Sequence, residues 1–205
     1  MGTVTKVPFF VPFYTQRVTA ENYASEGYAT LGEGLSWTAR SCGIASLRMA
    51  VDAVRGSRGL APCPCQAAVL RRGLERGAYR EGVGWIHQGL AELAAEYGVS
   101  AQARRGCTPE DLRREIDGGN PCLVSVTPLF AGGMPGADGV PRPKGGHLAV
   151  IWGYETENGV LTAFLTHHPS CFPESNWPER WVSLARFSAS FTGNLVVCFR
   201  SQSEF

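Results

Sequence analysis

The chain has 205 residues, 44% of them hydrophobic, and its 19 basic side chains are balanced by 18 acidic ones. This length and apolar content suffice for one sizeable core, so we expect a single domain over residues 1–205. The net charge of +1 excludes the strong positive field that would draw the chain to nucleic acid or to an anionic membrane.

Targeting and redox signals favour a cytoplasmic protein. Pro8 and Pro12 interrupt the apolar residues near the N-terminus, where no charged region precedes a long hydrophobic run. No stretch approaches the roughly 18 to 20 apolar residues that span a bilayer. Seven cysteines are an odd number, which favours reduced thiols. Cys63 and Cys65 are separated by only one residue, and no second pair follows at zinc-finger spacing, so we expect neither a metal nor a cofactor.

The N-terminal half predicts helices after one short strand. Residues 11–16 form an apolar run that ends in Gln16 and predict a strand. Apolar residues at helical spacing predict helices over residues 43–55, from near Cys65, and over residues 85–97. Thr108, with proline after it and Asp111 three residues later, predicts the start of a fourth helix.

The C-terminal half predicts strands. Residues 122–126, 147–152, 160–166 and 195–199 are apolar runs rich in β-branched residues. Asn158 and Gly159 separate two of these runs and predict a tight hairpin turn. Helices followed by an antiparallel sheet indicate an α+β fold.

One cysteine stands where a nucleophile could be built. Cys42 follows a loop containing Gly and Ser, precedes Gly43 and begins the predicted helix over residues 43–55. The free N–H groups and the positive dipole end of a helix favour a thiolate there and can hold an oxyanion. The alternative is that Cys42 is a small buried apolar residue, as most free cysteines are.

Two other segments carry the side chains that such a nucleophile needs. Gln16 ends the predicted first strand, and His147 follows a glycine pair at the start of a later one. A glutamine amide can donate to a developing oxyanion, and an imidazole can take the thiol proton and return it to the leaving group. The chain order is then Gln, Cys, His.

Together these motifs resemble the C39-like cysteine peptidases, a family with the papain fold. The likeness rests on the VPFYTQ segment ending at Gln16, the CGIASLRM helix start at Cys42 and the GHLAVIWGY strand at His147, and it extends over most of residues 8–200. The resemblance implies a helical half that bears the cysteine, a sheet half that bears the histidine, and a site between them. It also implies a Cys42 nucleophile, a His147 base and a Gln16 oxyanion donor. Many relatives are leader-cleaving domains of export transporters, but the missing membrane segments favour a free-standing enzyme.

The sequence departs from the family pattern at the third catalytic position. In relatives the strand after the histidine strand usually ends in Asp-Pro or Asn-Pro, whose side chain orients the histidine, and this chain has His168 before Pro169 there. A neutral imidazole can accept a hydrogen bond from His147, but it cannot stabilise an imidazolium as a carboxylate does. His168, Asn176 or Asp138 could complete a triad, or a dyad could suffice. Alternatively, His167 and His168 merely close a strand at the surface.

Two loops are expected to shape the substrate cleft. Residues 130–144 are rich in Gly and Pro and lead into the His147 strand, as an active-site flap would. Residues 170–181 contain Trp177 and Trp181, which line an apolar pocket or fasten the loop to the sheet.

Three functions follow from these observations. The first is a thiol hydrolase that cleaves a peptide or amide bond through an acyl-enzyme. The second is a papain-fold acyltransferase or offloading cyclase that takes an acyl group from a thioester on a carrier protein, in natural-product biosynthesis. The third is a non-catalytic binding domain, which the joint presence of Gln16, Cys42 and His147 opposes.

Overall fold

A seven-stranded antiparallel sheet organises the computed structural model, which describes residues 2–133 and 146–200. The central order is β4-β9-β5-β6-β7-β8, and β1 pairs with the second half of β6 beyond the end of β5. Two very short strands, β2 and β3, form a separate hairpin. The strands are β1 (Gly2–Lys6), β2 (Tyr79–Arg80), β3 (Gly84–Trp85), β4 (Ala101–Arg104), β5 (Cys122–Val126), β6 (His147–Glu157), β7 (Val160–His168), β8 (Trp177–Ser183) and β9 (Phe191–Cys198).

Helices precede most of the sheet and cover it. They are α1 (Leu31–Thr38), α2 (Cys42–Ser57), α3 (Gln66–Glu75), α4 (His87–Glu96), α5 (Pro109–Asp117) and α6 (Leu184–Ser190). The predicted α+β class is confirmed, and α2 to α5 lie where the sequence predicted helices. Helix α2 is the central one, because every residue from Gly43 to Val54 is buried.

Both faces of the sheet are covered by apolar side chains. Along β9, Val196 and Cys198 pack with residues of α2, α3 and α4, whereas Leu195 and Val197 pack with residues of α5 and α6. This alternation follows from the period of two in a strand. The first turn of α2 is thereby pressed against the start of β6, which brings Cys42 to the strand that begins with His147.

Local signals account for the confirmed element ends. The Thr108 side chain accepts a hydrogen bond from the Asp111 backbone N–H, and the Asp111 carboxylate accepts one from the Thr108 N–H, as in a capping box. Asn158 and Gly159 have φ angles of 51° and 82° and form the two-residue turn between β6 and β7.

The structure departs from the predicted elements in three places. Residues 11–16 belong to no strand, because side chains of distant residues hold this segment in place of a strand ladder. The predicted loop 170–181 contains the first part of β8, which pairs with β7. Helix α1 was not predicted, since two glycines weaken its helical pattern, yet Gly34 packs closely on Val18 and Tyr28.

No helix within residues 2–133 and 146–200 has the length and hydropathy needed to span a membrane.

Candidate active site

The backbone before Cys42 is fixed by an aromatic side chain from β3. The Trp85 indole donates a hydrogen bond to the Arg40 carbonyl at 2.6 Å. Its ring also lies on Gly43, where an added Cβ would lie 2.6 Å from Cδ1 of the Trp85 ring. Only glycine leaves room for this packing. Gly43 therefore lets the Trp85 ring pack on the first turn of α2 and hold it in place.

The thiol of Cys42 lies at the beginning of β6. The backbone N–H of Leu148, the residue directly after His147, lowers the pKa of this thiol, and so do the N–H groups of Gly43 and Cys42. Ser46, one turn further along α2, donates to the Leu148 carbonyl at 3.0 Å. The first turn of α2 therefore lies against both backbone polar groups of Leu148, and Cys42 is brought to β6, the strand that begins with His147.

The expectation of a thiolate at Cys42 is corrected by its surroundings. Burial raises the pKa of the Cys42 thiol to about 11, and the neighbouring Cys171 raises it further. The three N–H groups lower this pKa but do not offset the burial. The resting residue is therefore a neutral thiol, and it needs a base before it can attack.

His147 is a neutral base at ordinary pH. Burial, with a smaller effect of His168, holds the pKa of His147 well below its usual range. Its Nε2 is buried and has no hydrogen-bond partner in the described part of the chain. A neutral imidazole can accept the proton of a thiol that it reaches, and the imidazolium so formed is a strong acid towards a leaving amine.

His168 is buried against His147. Val150 opposes His167 in the antiparallel register, which places His168 on the same face of the sheet as His147. The two imidazole centroids are 4.4 Å apart with the rings inclined by 55°. The rings therefore meet in a tilted contact, and His168 is not a hydrogen-bond partner of the His147 Nε2.

The tautomer of His168 is set by the loop that precedes β8. Its Nδ1 contacts the Ser175 carbonyl, which can only accept, so Nδ1 carries the proton. Phe130 and Trp177 surround the ring, with centroids 5.3 and 5.1 Å away. Burial lowers the pKa of His168 to about 4, with Arg186 contributing in the same direction, so the ring is neutral at pH 7.

Gln16 is also buried, but it is not aimed freely into the cleft. It is 1% exposed, and its Nε2 donates to the carbonyl of Thr38, the last residue of α1, at 2.7 Å. This bond uses one of the two amide hydrogens and ties Gln16 to the turn between α1 and α2. Its Oε1 has no partner among the described residues.

The remaining candidates are placed as follows. His167 is buried, donates from Nε2 to the Val11 carbonyl and accepts from the Glu179 N–H at Nδ1, both at 3.0 Å. The alternative that both histidines close a strand at the surface is therefore wrong. Asn176 accepts from the Thr15 hydroxyl at 3.1 Å. Asp138 and most of the expected flap lie outside the described residues.

Sequence reasoning missed several groups that shape the site. The Leu148 N–H and the Ser175 carbonyl are backbone groups, and the type of residue does not predict their role. Trp85 could have been predicted to lie near the site only from the glycine at position 43, which leaves room for a ring. Within residues 2–133 and 146–200, no group of three or more His, Cys, Asp or Glu side chains could hold a metal ion.

Comparison with known proteins shows the family of this chain. The model of the Peptidase_C39 like family matches residues 10–193, which is most of the chain. The chain belongs to this family. A comparison with curated proteins gives no match.

Solved structures share the fold of this C39-like chain at low sequence identity. A protein described as a C39-like peptidase from Bacillus anthracis has 14% identity and a TM-score of 0.60, over 97% of this chain and 99% of its own. A double glycine motif protease from an AMS/PCAT transporter, in complex with a leader peptide, has 18% identity and a TM-score of 0.47, over 95% and 92%. The peptidase domain of Streptococcus ComA, a bifunctional ABC transporter of a quorum-sensing pathway, has 18% identity and a TM-score of 0.47, over 78% and 92%.

Proposed function

We propose that this C39-like protein is a cysteine-dependent hydrolase that cleaves a peptide or amide bond through an acyl-enzyme on Cys42. The observation that carries the proposal is the contact of the first turn of α2 with the start of β6, where the Ser46 hydroxyl donates to the Leu148 carbonyl at 3.0 Å and the Leu148 N–H lowers the pKa of the Cys42 thiol. It brings a nucleophile at a helix start to the residue next to His147, whose buried Nε2 has no hydrogen-bond partner among the described residues. Family membership supports the same chemistry.

The proposed reaction starts from two neutral groups. As the Cys42 sulfur attacks the substrate carbonyl carbon, His147 takes the thiol proton, and the carbonyl oxygen becomes an oxyanion. Backbone N–H groups at the start of α2 and the amide of Gln16 are the proposed donors to that oxyanion. The C–N bond then breaks, and the imidazolium returns its proton to the leaving amine. Attack of water on the thioester, with His147 again as base, releases the acid and restores the thiol.

His168 is proposed to complete the catalytic group by contact with His147. Its ring packs on that of His147, and the Ser175 carbonyl holds it in one tautomer. A neutral ring can limit the rotation of His147, but it gives little stabilisation to the imidazolium. His147 is therefore a stronger acid and a weaker base than it would be beside a carboxylate.

The related alternative is acyl transfer from a carrier-bound thioester to an amine or carbon nucleophile. It would use the same thiol and imidazole and would differ in the acceptor. A peptide library and an N-acetylcysteamine thioester, each incubated with the protein and with the Cys42→Ala variant, distinguish the two. New peptide termini with the wild type alone support the peptidase. Thioester consumption with transfer to an added amine, and no peptide cleavage, supports the alternative.

We further propose that the protein works in a reducing compartment such as the cytoplasm, since its seven cysteines are all free thiols.

A further inference from the structure

The segment that carries Gln16 is attached to the fold by side chains from distant parts of the chain. The Tyr14 hydroxyl donates to the Asp52 carboxylate at 2.9 Å. The Val11 carbonyl and the Thr15 hydroxyl contact His167 and Asn176, at 3.0 and 3.1 Å. Because no strand ladder holds this segment, these contacts and the bond of Gln16 to the Thr38 carbonyl determine where Gln16 lies.

Asp52 is the contact that connects this segment to the nucleophile. It lies on α2, the helix that begins with Cys42, and is only 6% exposed. Its second carboxylate oxygen accepts from the Cys63 backbone N–H at 2.6 Å. A buried carboxylate is costly unless such hydrogen bonds satisfy it, and none of the reaction steps proposed above uses this one.

Tyr14 is built as a rigid donor to Asp52. The Arg48 guanidinium, from the turn of α2 before Asp52, lies 4.2 Å from the centroid of the Tyr14 ring. Arg48 is itself held by Glu26 at 2.9 Å. Burial and the nearby Asp52 raise the pKa of Tyr14 to about 12, so the phenol keeps its proton and donates throughout the neutral range.

We propose that Tyr14 and Asp52 are positioning residues for the oxyanion donor, and that their hydrogen bond, together with the bond of Gln16 to Thr38, sets the position of Gln16 relative to Cys42. Helix α2 then carries the nucleophile, Cys42, as its first residue. Through Asp52 it also holds Tyr14, which precedes the donor Gln16 by two residues. The inference rests on the proposed function, because it assigns Gln16 the oxyanion role.

Two reagents separate a positioning role from a merely structural one. Alkylation by iodoacetamide displaces iodide from a saturated carbon and forms no oxyanion. Acylation by 4-nitrophenyl acetate forms a tetrahedral oxyanion before the C–O bond breaks, which leaves acetyl-Cys42 and 4-nitrophenol that carries the thiol proton. The ratio of the two rate constants therefore reports the oxyanion donor alone.

The test measures both rate constants in Tyr14→Phe, Gln16→Ala and the double variant. Tyr14→Phe is expected to slow acylation about 10- to 100-fold, as a misplaced catalytic group does, and to leave alkylation unchanged. In the Gln16→Ala background it is expected to slow acylation no further, because the donor it positions is gone. Asp52→Leu, which can neither accept nor donate a hydrogen bond, is expected to behave like Tyr14→Phe and serves if that variant does not fold.

Tyr154 provides a matched control. Its hydroxyl donates to Asp117 on α5 at 2.5 Å, and Arg113 lies 5.5 Å from its ring centroid. Tyr154→Phe removes the same kind of hydrogen bond away from the Gln16 segment and is expected to leave both rate constants unchanged.

An equal slowing of both reactions, an unchanged acylation rate, or a full additional loss in the double variant would overturn the positioning role. If wild-type Cys42 is not acylated at all, the proposed function fails first, and that result is seen before any variant of Tyr14 is compared.

Discussion

The imidazole of His168, the residue before Pro169, packs on that of His147, with ring centroids 4.4 Å apart. Neither imidazole offers the other the negative charge of a carboxylate, and burial lowers the pKa of both. The structure thus combines a neutral thiol with a neutral imidazole, in place of a thiolate–imidazolium pair.

The reactivity of Cys42 should rise steeply with pH. Burial raises its pKa to about 11, so the thiolate fraction is expected to increase about tenfold per pH unit between about pH 7 and 10. Iodoacetamide alkylation, followed at Cys42 by mass spectrometry, measures this rise. A rate that is already flat from about pH 6 to 9 would show that the thiolate forms without substrate.

His168→Asp should make the resting thiol more reactive. A carboxylate beside His147 raises the pKa of the imidazole and favours transfer of the Cys42 proton to it. Alkylation at pH 7 is expected to accelerate by about tenfold or more, and turnover to be preserved or increased. His168→Asn keeps a similar volume without charge and serves as the control. Equal rates in the two variants would argue against a charge effect at this position.

Acid should destabilise the fold between about pH 6.5 and 4. The folded-state pKa of His168 is about 4 against a usual value of 6.5, so in this range the unfolded chain binds a proton that the folded chain rejects. Stability is complete above about pH 6.5 and falls as the pH drops, by up to roughly 3 kcal/mol for this residue. Urea unfolding at about pH 7.5 and 4.5 measures the loss, which should be smaller in His168→Asn. Protonation of His168 is likewise expected to reduce activity near pH 4, and to have no effect slightly below neutral pH.

Gly43→Ala should disturb the helix start. The added Cβ would lie 2.6 Å from Cδ1 of Trp85, so the ring must move, at a cost of roughly 1–3 kcal/mol. Gly56, near the other end of α2, has nothing within 4 Å of the position that a Cβ would take. Gly56→Ala should therefore stabilise the protein by roughly 0.5–1 kcal/mol. Thermal unfolding of both variants tests the contrast, and a similar stability change in both would contradict it.

The sequence predicts those elements whose signals are local. The capping pair Thr108 and Asp111 and the Asn158-Gly159 turn are contained in four and two residues, and both are where they were expected. The 11–16 segment could not be predicted, because the residues that hold it, such as Asp52 and His167, lie 38 and 156 positions away from their partners.

The ionisation of the site also exceeds what the sequence can predict. A cysteine at a helix start indicates a lowered pKa, but the burial that reverses this shift comes from the packing of α2 on β6. In the same way, the ring of His168 was expected near His147, but its tautomer depends on the Ser175 carbonyl of a loop whose course no motif describes.

The most direct test of the proposed chemistry is the site of acylation by 4-nitrophenyl acetate, read by tandem mass spectrometry in the wild type and in His147→Ala. We expect one acetyl group, on Cys42, in the wild type, and its formation at least about 100-fold more slowly in His147→Ala. Acetylation of another of the seven cysteines before Cys42, or equal rates in the two proteins, would contradict the assignment of Cys42 and His147 as nucleophile and base.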